Sequence, residues 1–171
     1  MAAASPCLWA GNWSAVAEAA AGDGKVLVTC RAKLSGDHLV IEMRAAEGWH
    51  VYAMDNERRA KEALAGRVSL GVEQSTEVHV AGGLRVVGGW HQTRPQDFSQ
   101  PELRWYSYGF EGAATFAAPV KRTAAASASV VVRAQACDSA SCVAVKANLE
   151  VPLAGDDGER FSTDGLVPVR L

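Results

Sequence analysis

The sequence predicts an all-β protein, an antiparallel β-sandwich with one short helical insertion. Most segments alternate apolar and polar residues with period two, the pattern of strands that bury one face. Turn residues separate about eight or nine such segments. Helical spacing is confined to MDNERRAKEALAG at 54–66. Many short strands with a single helix favour a sandwich over a mixed fold.

Composition and charge limit the function classes. The chain has 171 residues, of which 49% are hydrophobic and 21% charged, with a net charge of -2. A chain of this length buries roughly 70% of its unfolded surface, so it does not need a disulfide to fold. The balanced charge provides no basic surface for nucleic acid and no polybasic membrane patch. No apolar run reaches the roughly 18 residues of a membrane span, and the Ala-rich start lacks the regions of a secretory signal.

The elements follow in order along the chain. Strands at 25–34 and 38–45 are joined by a predicted hairpin turn. The helix is expected to begin at Asp55 or Asn56, which are good N-cap residues, and to stop at Gly66. Pro95 and Pro101 predict an irregular loop within 90–112, with a strand beginning near Leu103. Further strands are predicted at 68–72, 76–80, 84–87, 113–120, 130–137 and 142–153, and a surface turn at 123–129.

The segment VVVRAQACDSASCVAVKANLEVPL at 130–153 reads as a hairpin that carries two cysteines. If its loop closes between Cys137 and Cys142, the numbers of paired residues always sum to 279. One face then carries only apolar pairs, such as Ala136 with Val143, and the other carries Gln135 and both cysteines. Opposed residues lie about 4.5–5.5 Å apart at Cα, within disulfide range. We therefore expect a pair that can form a disulfide, with both sulfurs on the solvent-exposed face.

Three interpretations of this cysteine pair remain open from the residues alone. As a structural disulfide it closes a six-residue loop, worth on the order of 2 kcal/mol. As half of a zinc site it lacks a second closely spaced pair. As an exchanging dithiol it needs exposure and a bond that opens without unfolding the domain, which a hairpin on the outer face provides. The other candidate metal ligands are scattered along the chain: Cys7, Cys30, His50 and His91.

Three motifs in order carry a resemblance to a known family. They are EGWHVYAMD at 47–55, GGWHQTRPQDFSQPE at 88–102 and QACDSASCVAVKANLEVPL at 135–153. From about Val26 to Leu153 the chain resembles the N-terminal periplasmic domains of the thiol:disulfide interchange protein DsbD. The resemblance implies an immunoglobulin-like sandwich that relays electrons by thiol–disulfide exchange and acts as part of a protein-disulfide reductase. It implies no cofactor beyond the cysteine pair and no metal.

The resemblance also implies roles for individual residues. Cys137 and Cys142 are the exchanging pair, with Cys142 facing the partner, and the loop Thr93–Glu102 is a cap over them. The family often has two aromatic residues where this chain has His50 and Tyr52. The remaining implied site residues are the shielding Phe98, the nearby acid Asp97, and His50 and Tyr52 flanking the site.

Together these observations predict an N-terminal tail at 1–24, an immunoglobulin-like exchange domain at 25–154 and a C-terminal extension at 155–171. By resemblance, the partners are thioredoxin-like proteins or domains and a membrane electron-transfer domain, with no nucleic acid and no small-molecule substrate. The implied location is periplasmic or otherwise extracytoplasmic, and no signal peptide or anchor is expected in this chain. The alternative is a non-enzymatic β-sandwich binding module with a permanent hairpin disulfide.

Overall fold

The computed structural model describes residues 12–71, 73–154 and 159–171, and it confirms the predicted β-sandwich. Two antiparallel sheets pack face to face. The first sheet contains β1 (Ala17–Ala20), β2 (Val26–Ser35), β3 (His38–Ala45), β6 (Leu84–Val86), β7 (His91–Gln92), β10 (Ala113–Arg122) and β13 (Val167–Pro168). Its strands are ordered β1-β2-β3-β10-β7-β13, and β6 also pairs with β10. The second sheet contains β4 (His50–Tyr52), β5 (Glu77–Gly82), β8 (Gln96–Asp97), β9 (Tyr108–Glu111), β11 (Ser127–Cys137) and β12 (Cys142–Pro152). Its strands are ordered β12-β11-β4-β9-β8, and β5 also pairs with β11.

The apolar core lies between the two sheets. Ile41 and Phe116 come from the first sheet, and Val130 and Val151 from the second, all with none of their surface exposed. Phe110 of the second sheet meets Phe116 of the first edge to face, with ring centroids 5.7 Å apart. Removal of these side chains from water is the main favourable contribution to folding, and it does not involve the cysteine pair.

The helix α1 (Asn56–Leu64) follows the predicted segment. It buries Asn56, Ala60 and Leu64, which are four residues apart and share one face. Asp55 precedes the helix, but its side chain makes no cap hydrogen bond. Its buried carboxylate instead accepts hydrogen bonds from Arg59 at 2.8 Å and Gln92 at 2.7 Å. The Asp55 side chain therefore ties the helix to the first sheet.

Three local predictions are wrong. No strand forms at 67–71, where Val68 and Leu70 are 75% and 67% exposed because no neighbouring strand pairs with them. The strand expected near Leu103 begins at Tyr108 instead, since Pro101–Leu103 is a short 3-10 helix. The expected turn at 123–129 is shorter than predicted, because residues 127–129 already belong to β11. Residues 127–129 pair with β12, and residues 128 and 129 also pair with β5.

The segments flanking 25–154 also contribute strands. β1 pairs with β2, and β13 pairs with β7. The Arg31 guanidinium lies over the Trp13 ring, with Cζ of Arg31 4.2 Å from the ring centroid.

Cys30 is a buried free thiol on β2, and Cys7 lies outside the described residues. Within the described ranges, no helix is long and apolar enough to cross a membrane.

We predict that Gly109→Ala destabilises the fold by about 1–3 kcal/mol, the usual cost of overpacking. A Cβ on Gly109 would lie 2.1 Å from the Val51 carbonyl oxygen, so β4 and β9 would have to move apart. Denaturant unfolding monitored by tryptophan fluorescence measures the change. Gly89→Ala is the matched control, since a Cβ there meets no atom within 4 Å. Equal stability of the two variants would show that β9 can shift without cost.

Candidate functional site

The predicted hairpin register is confirmed along the whole of β11 and β12. All pairs from Ser127–Pro152 to Cys137–Cys142 sum to 279. Cys137 and Cys142 form a disulfide, with Cα atoms 4.1 Å apart. Ala136 belongs to the buried core cluster and Cys137 does not. The disulfide therefore lies on the face of the sheet away from the core.

Both cysteines lie on the outer face of the hairpin, as the register predicts, but their exposure differs sharply, and Cys137 is not solvent-exposed. Cys142 is exposed because β12 is an edge strand of its sheet. Cys137 is only 2% exposed; it lies on β11 between β12 and β4 and lines a groove together with His50, Tyr52 and Phe98. The disulfide therefore joins an exposed outer cysteine, Cys142, to a buried inner cysteine, Cys137.

A row of side chains crosses the outer face at the level of the disulfide. Cys142 is paired with Cys137, Cys137 with His50, and His50 with Glu111. Because paired residues point to the same face of a sheet, all four side chains face outward. Both cysteines, His50 and Glu111 line one groove.

Aromatic rings cover the inner part of this groove. Phe98 stacks on His50 with ring centroids 4.7 Å apart and an interplanar angle of 28°. Tyr52, two residues further along β4, meets His50 edge on, and its hydroxyl lies 3.0 Å from Nε2 of His50. The Phe98 N–H donates to the Ser107 carbonyl at 2.9 Å, which fixes the loop over the groove. The predicted positions of Phe98, His50 and Tyr52 thus come together.

Asp97 lies elsewhere. It is exposed on β8, its Oδ1 accepts a hydrogen bond from the Ser99 N–H at 2.8 Å, and it is absent from the groove lining. The acids that line the groove are Glu73, Glu111 and Asp138. Sequence reasoning did not assign a role to Glu73 or Glu111, because their positions depend on pairings distant in the chain.

The pKa values of three groove residues are shifted, and each shift has a physical cause. Burial lowers the pKa of His50, and the nearby carboxylates of Glu111 and Asp138 oppose that change. Hydrogen bonds from the Ala140 and Ser141 N–H groups lower the pKa of Asp138. Burial, followed by the charge of Glu73, raises the pKa of Tyr52, so its hydroxyl keeps its proton near neutral pH. His50 is therefore held mainly neutral beside two carboxylates.

Glu73 is the least expected member of the site. It is 7% exposed, and its Oε2 has no hydrogen-bond partner. The Asn56 amide donates to the Glu73 carbonyl at 2.9 Å, and the Asn56 Oδ1 accepts from the Tyr108 N–H at 2.7 Å. Asn56 thus holds the Glu73 segment against β9. Burial raises the pKa of Glu73, while its own N–H and the Trp105 indole lower it by hydrogen bonding, leaving a net increase.

The groove can support proton transfer and sulfur chemistry. It contains a disulfide, an imidazole, a phenol and three carboxyl groups. In the described part of the chain, no three or more His, Cys, Asp or Glu residues form a group that could hold a metal ion.

We predict that Glu73→Gln stabilises the protein at pH 7–8, with a benefit that disappears in acid. The folded-state pKa of Glu73 is raised, whereas an unfolded glutamate titrates near about 4.3. As pH rises above that value the unfolded state loses its proton first, so the wild-type protein loses stability until Glu73 also ionises in the folded state. Gln mimics the protonated acid and avoids this loss.

Denaturant unfolding of both proteins between pH 3.5 and 8 measures the difference. Glu47→Gln, at an exposed position, is the control. A difference between Glu73→Gln and wild type that shrinks as the pH rises would contradict the prediction.

Comparison with known proteins gives three findings. No curated protein matches the chain. The solved N-terminal periplasmic domain of ScsB from Proteus mirabilis is similar at 16% identity and a TM-score of 0.58, over 84% of this chain and 53% of that chain, so this chain spans about half of its length. The DsbD N-terminal domain from Neisseria meningitidis, in its reduced form, aligns at 12% identity and a TM-score of 0.47, over 93% of this chain and 91% of that one.

The ScsB likeness supports the sandwich fold. The family model described as thiol:disulfide interchange protein DsbD, N-terminal, matches residues 23–154, which include β2 to β12 and the whole groove. On that match, the chain belongs to the family of DsbD N-terminal domains.

Proposed function

We propose that this chain is an electron-relay domain that exchanges its Cys137–Cys142 disulfide with thioredoxin-like proteins or domains and with a membrane electron-transfer domain, in an extracytoplasmic compartment. One observation carries the proposal: the disulfide lies outside the core, with one sulfur exposed and the other buried. Opening such a bond leaves the packing between the sheets in place. A purely structural disulfide would gain little here, because it joins strands already paired along their whole length.

The difference in exposure assigns an order to the two sulfurs. A partner thiolate attacks Sγ of Cys142, the Cys137–Cys142 bond breaks, and Cys137 leaves as a thiolate that takes up a proton. The second thiolate of the partner then attacks the partner sulfur of the mixed disulfide and releases Cys142 as a thiolate, which takes up a proton from solvent. The domain gains two electrons and two protons, and the partner becomes a disulfide. The reverse sequence passes the electrons to an oxidised partner.

The surface around Cys142 supports a protein partner. Leu70, Leu103 and Trp105 border the exposed sulfur and are 67%, 44% and 39% exposed. Exposed apolar groups that cluster together are typical of protein interaction sites. A partner that covers them would bring its own thiol to Cys142 and not to Cys137.

We predict a reduction potential above about -300 mV, the range of exchanging disulfides. We further expect Cys137→Ser to accumulate a mixed disulfide with a thioredoxin-like protein that lacks its resolving cysteine and whose remaining cysteine is first activated as a mixed disulfide with thionitrobenzoate. The accessible Cys142 thiolate attacks the partner sulfur and displaces thionitrobenzoate. Equilibration with glutathione or dithiothreitol buffers gives the potential, and non-reducing electrophoresis shows the adduct.

Cys142→Ser is the matched control, since it retains only the buried sulfur of the pair and should form little adduct. Both variants are expected to stay folded by circular dichroism, because the core cluster does not include Cys137. A potential below about -300 mV together with no adduct would instead favour the permanent hairpin disulfide of a binding module.

The cap contributes a second prediction. Because Phe98 stacks on His50, above the inner end of the groove, Phe98→Ala should speed alkylation of reduced Cys137 more than that of Cys142. Loss of an aromatic contact of about 0.5–1.5 kcal/mol corresponds to a factor of about two to ten. Mass spectrometry of the alkylated peptides measures each cysteine separately.

The reduction potential should not move, since the cap is expected to affect access and not bond energy. Phe161→Ala is the control, because Phe161 packs against His38 of β3 in the other sheet. Unchanged Cys137 alkylation in Phe98→Ala would mean that the loop does not protect the inner sulfur.

A further inference from the structure

The residue paired with Cys137 on the adjacent strand β4 is the titratable His50. His50 is paired with Cys137 across β4 and β11, and both side chains lie on the outer face. Directly opposed residues on one face have Cβ atoms about 4.5–5.5 Å apart. Cys142 lies two strand spacings from His50, about 9–10 Å. His50 is therefore paired directly with Cys137, whereas the backbone of Cys142 lies one strand further away.

We propose that His50 accepts a proton from the Cys137 thiol when the disulfide re-forms and returns one to the Cys137 thiolate when the disulfide opens. The proposal rests on the exchange function proposed above and extends it to the proton that accompanies the inner sulfur. Nε2 of His50 lies 3.0 Å from the Tyr52 hydroxyl. We assign the tautomer in which Nε2–H donates to Tyr52, which leaves Nδ1 as the base for the thiol.

The need for such a group follows from the burial of Cys137. Its side chain is almost fully buried, and burial in apolar surroundings disfavours a thiolate. Only a thiolate attacks a disulfide sulfur. Cys142 can exchange its proton with water, whereas Cys137 depends on groups within the groove. Among these, His50 is the group whose ordinary titration range is closest to neutrality.

The surroundings of His50 allow it to gain and lose a proton. On β9, Glu111 is paired with it, and Asp138 lies in the hairpin loop; both carboxylates favour the imidazolium. Burial, partly through the stacked Phe98, favours the neutral ring. Tyr52 remains protonated and holds the ring by its hydrogen bond. Glu73 acts one step further away, through its charge on Tyr52.

The protons and electrons balance in each direction. In re-oxidation, Cys142 carries a mixed disulfide with a partner. The Cys137 thiol gives its proton to Nδ1, and the thiolate attacks Sγ of Cys142. The Cys137–Cys142 bond forms, the bond to the partner breaks, and the partner leaves as a thiolate that can be protonated by solvent. In reduction, His50 first takes up a proton from solvent, and a partner thiolate attacks Sγ of Cys142. The Cys137–Cys142 bond breaks, and Cys137 leaves as a thiolate that takes the proton from the imidazolium, which returns His50 to its neutral form.

The test measures the thiols directly in reduced protein. Alkylation with iodoacetamide is followed from pH 5 to 10, and peptide mass spectrometry reads Cys137 and Cys142 in the same sample. The variants are His50→Phe, which retains an aromatic ring for Phe98, and His50→Gln, which retains a polar side chain. His79→Gln on the exposed face of β5 is the control.

Both His50 variants should shift the Cys137 titration to higher pH and leave the Cys142 titration unchanged. The rate at which a mixed disulfide on Cys142 resolves at pH 7 should fall at least about tenfold, a modest value for a positioned acid–base group. His79→Gln should behave as wild type. Unchanged Cys137 titrations in both His50 variants would overturn the proposal.

A measurement on the unmutated chain keeps the proposal testable if a variant misfolds. The imidazole of His50 is titrated by NMR in the oxidised and reduced forms. Coupling between two sites is reciprocal, so the His50 midpoint should differ between the two forms. Equal His50 midpoints would contradict the proposal. Failure of exchange with any thioredoxin-like protein, alongside a shifted Cys137 titration, would instead count against the exchange function alone.

Discussion

The arrangement of the molecule depends on the pairing of β11 with strands on both of its edges. β12 pairs with it along its whole length, while the opposite edge pairs first with β5 and then, at Ala136 and Cys137, with β4. Between these two partners, the Gln135 side chain accepts a hydrogen bond from the Gln74 N–H at 2.8 Å. The change of partner brings β4 and its His50 to the inner cysteine. On the other side of β11, Cys142 lies on β12, the edge strand of the sheet.

Because of this pairing, the apolar core and the cysteine pair lie on opposite faces of the second sheet. Alternate residues of β11, such as Val132 and Ala134, pack into the core, and the residues between them face outward. The core contributes stability through burial of apolar surface, which does not depend on the oxidation state of the cysteines. A bond on the opposite face can therefore open and close at little cost to the fold. Within the site itself, burial differs between the exposed Cys142 and the buried Cys137.

Polar contacts from distant parts of the chain complete the groove. Asn56 at the start of α1 bonds both the Glu73 carbonyl and the Tyr108 N–H, which links the segment before β5 to β9. The Thr76 hydroxyl donates to the Tyr52 carbonyl at 2.6 Å. These buried hydrogen bonds position Glu73 and Tyr52 around His50. Their donors and acceptors are satisfied within the protein, as buried polar groups require, which helps to explain why a polar site can exist beside a β-sandwich core.

The sandwich, the hairpin register and a cysteine pair within disulfide range could all be predicted from the sequence. Period-two alternation requires one face of a strand to be buried, and a one-residue slip would put the wrong face in the core, so the register of β11 and β12 could be read from 130–153 alone. The tertiary structure alone decided that Cys137 is buried, that His50 is paired with it, and that Glu73 joins the groove. These features depend on contacts between residues far apart in the chain, such as β4 with β11. Local patterns also suggested a strand at 68–72, but a strand needs a neighbour to satisfy its backbone hydrogen bonds. The fold supplies none to residues 67–71.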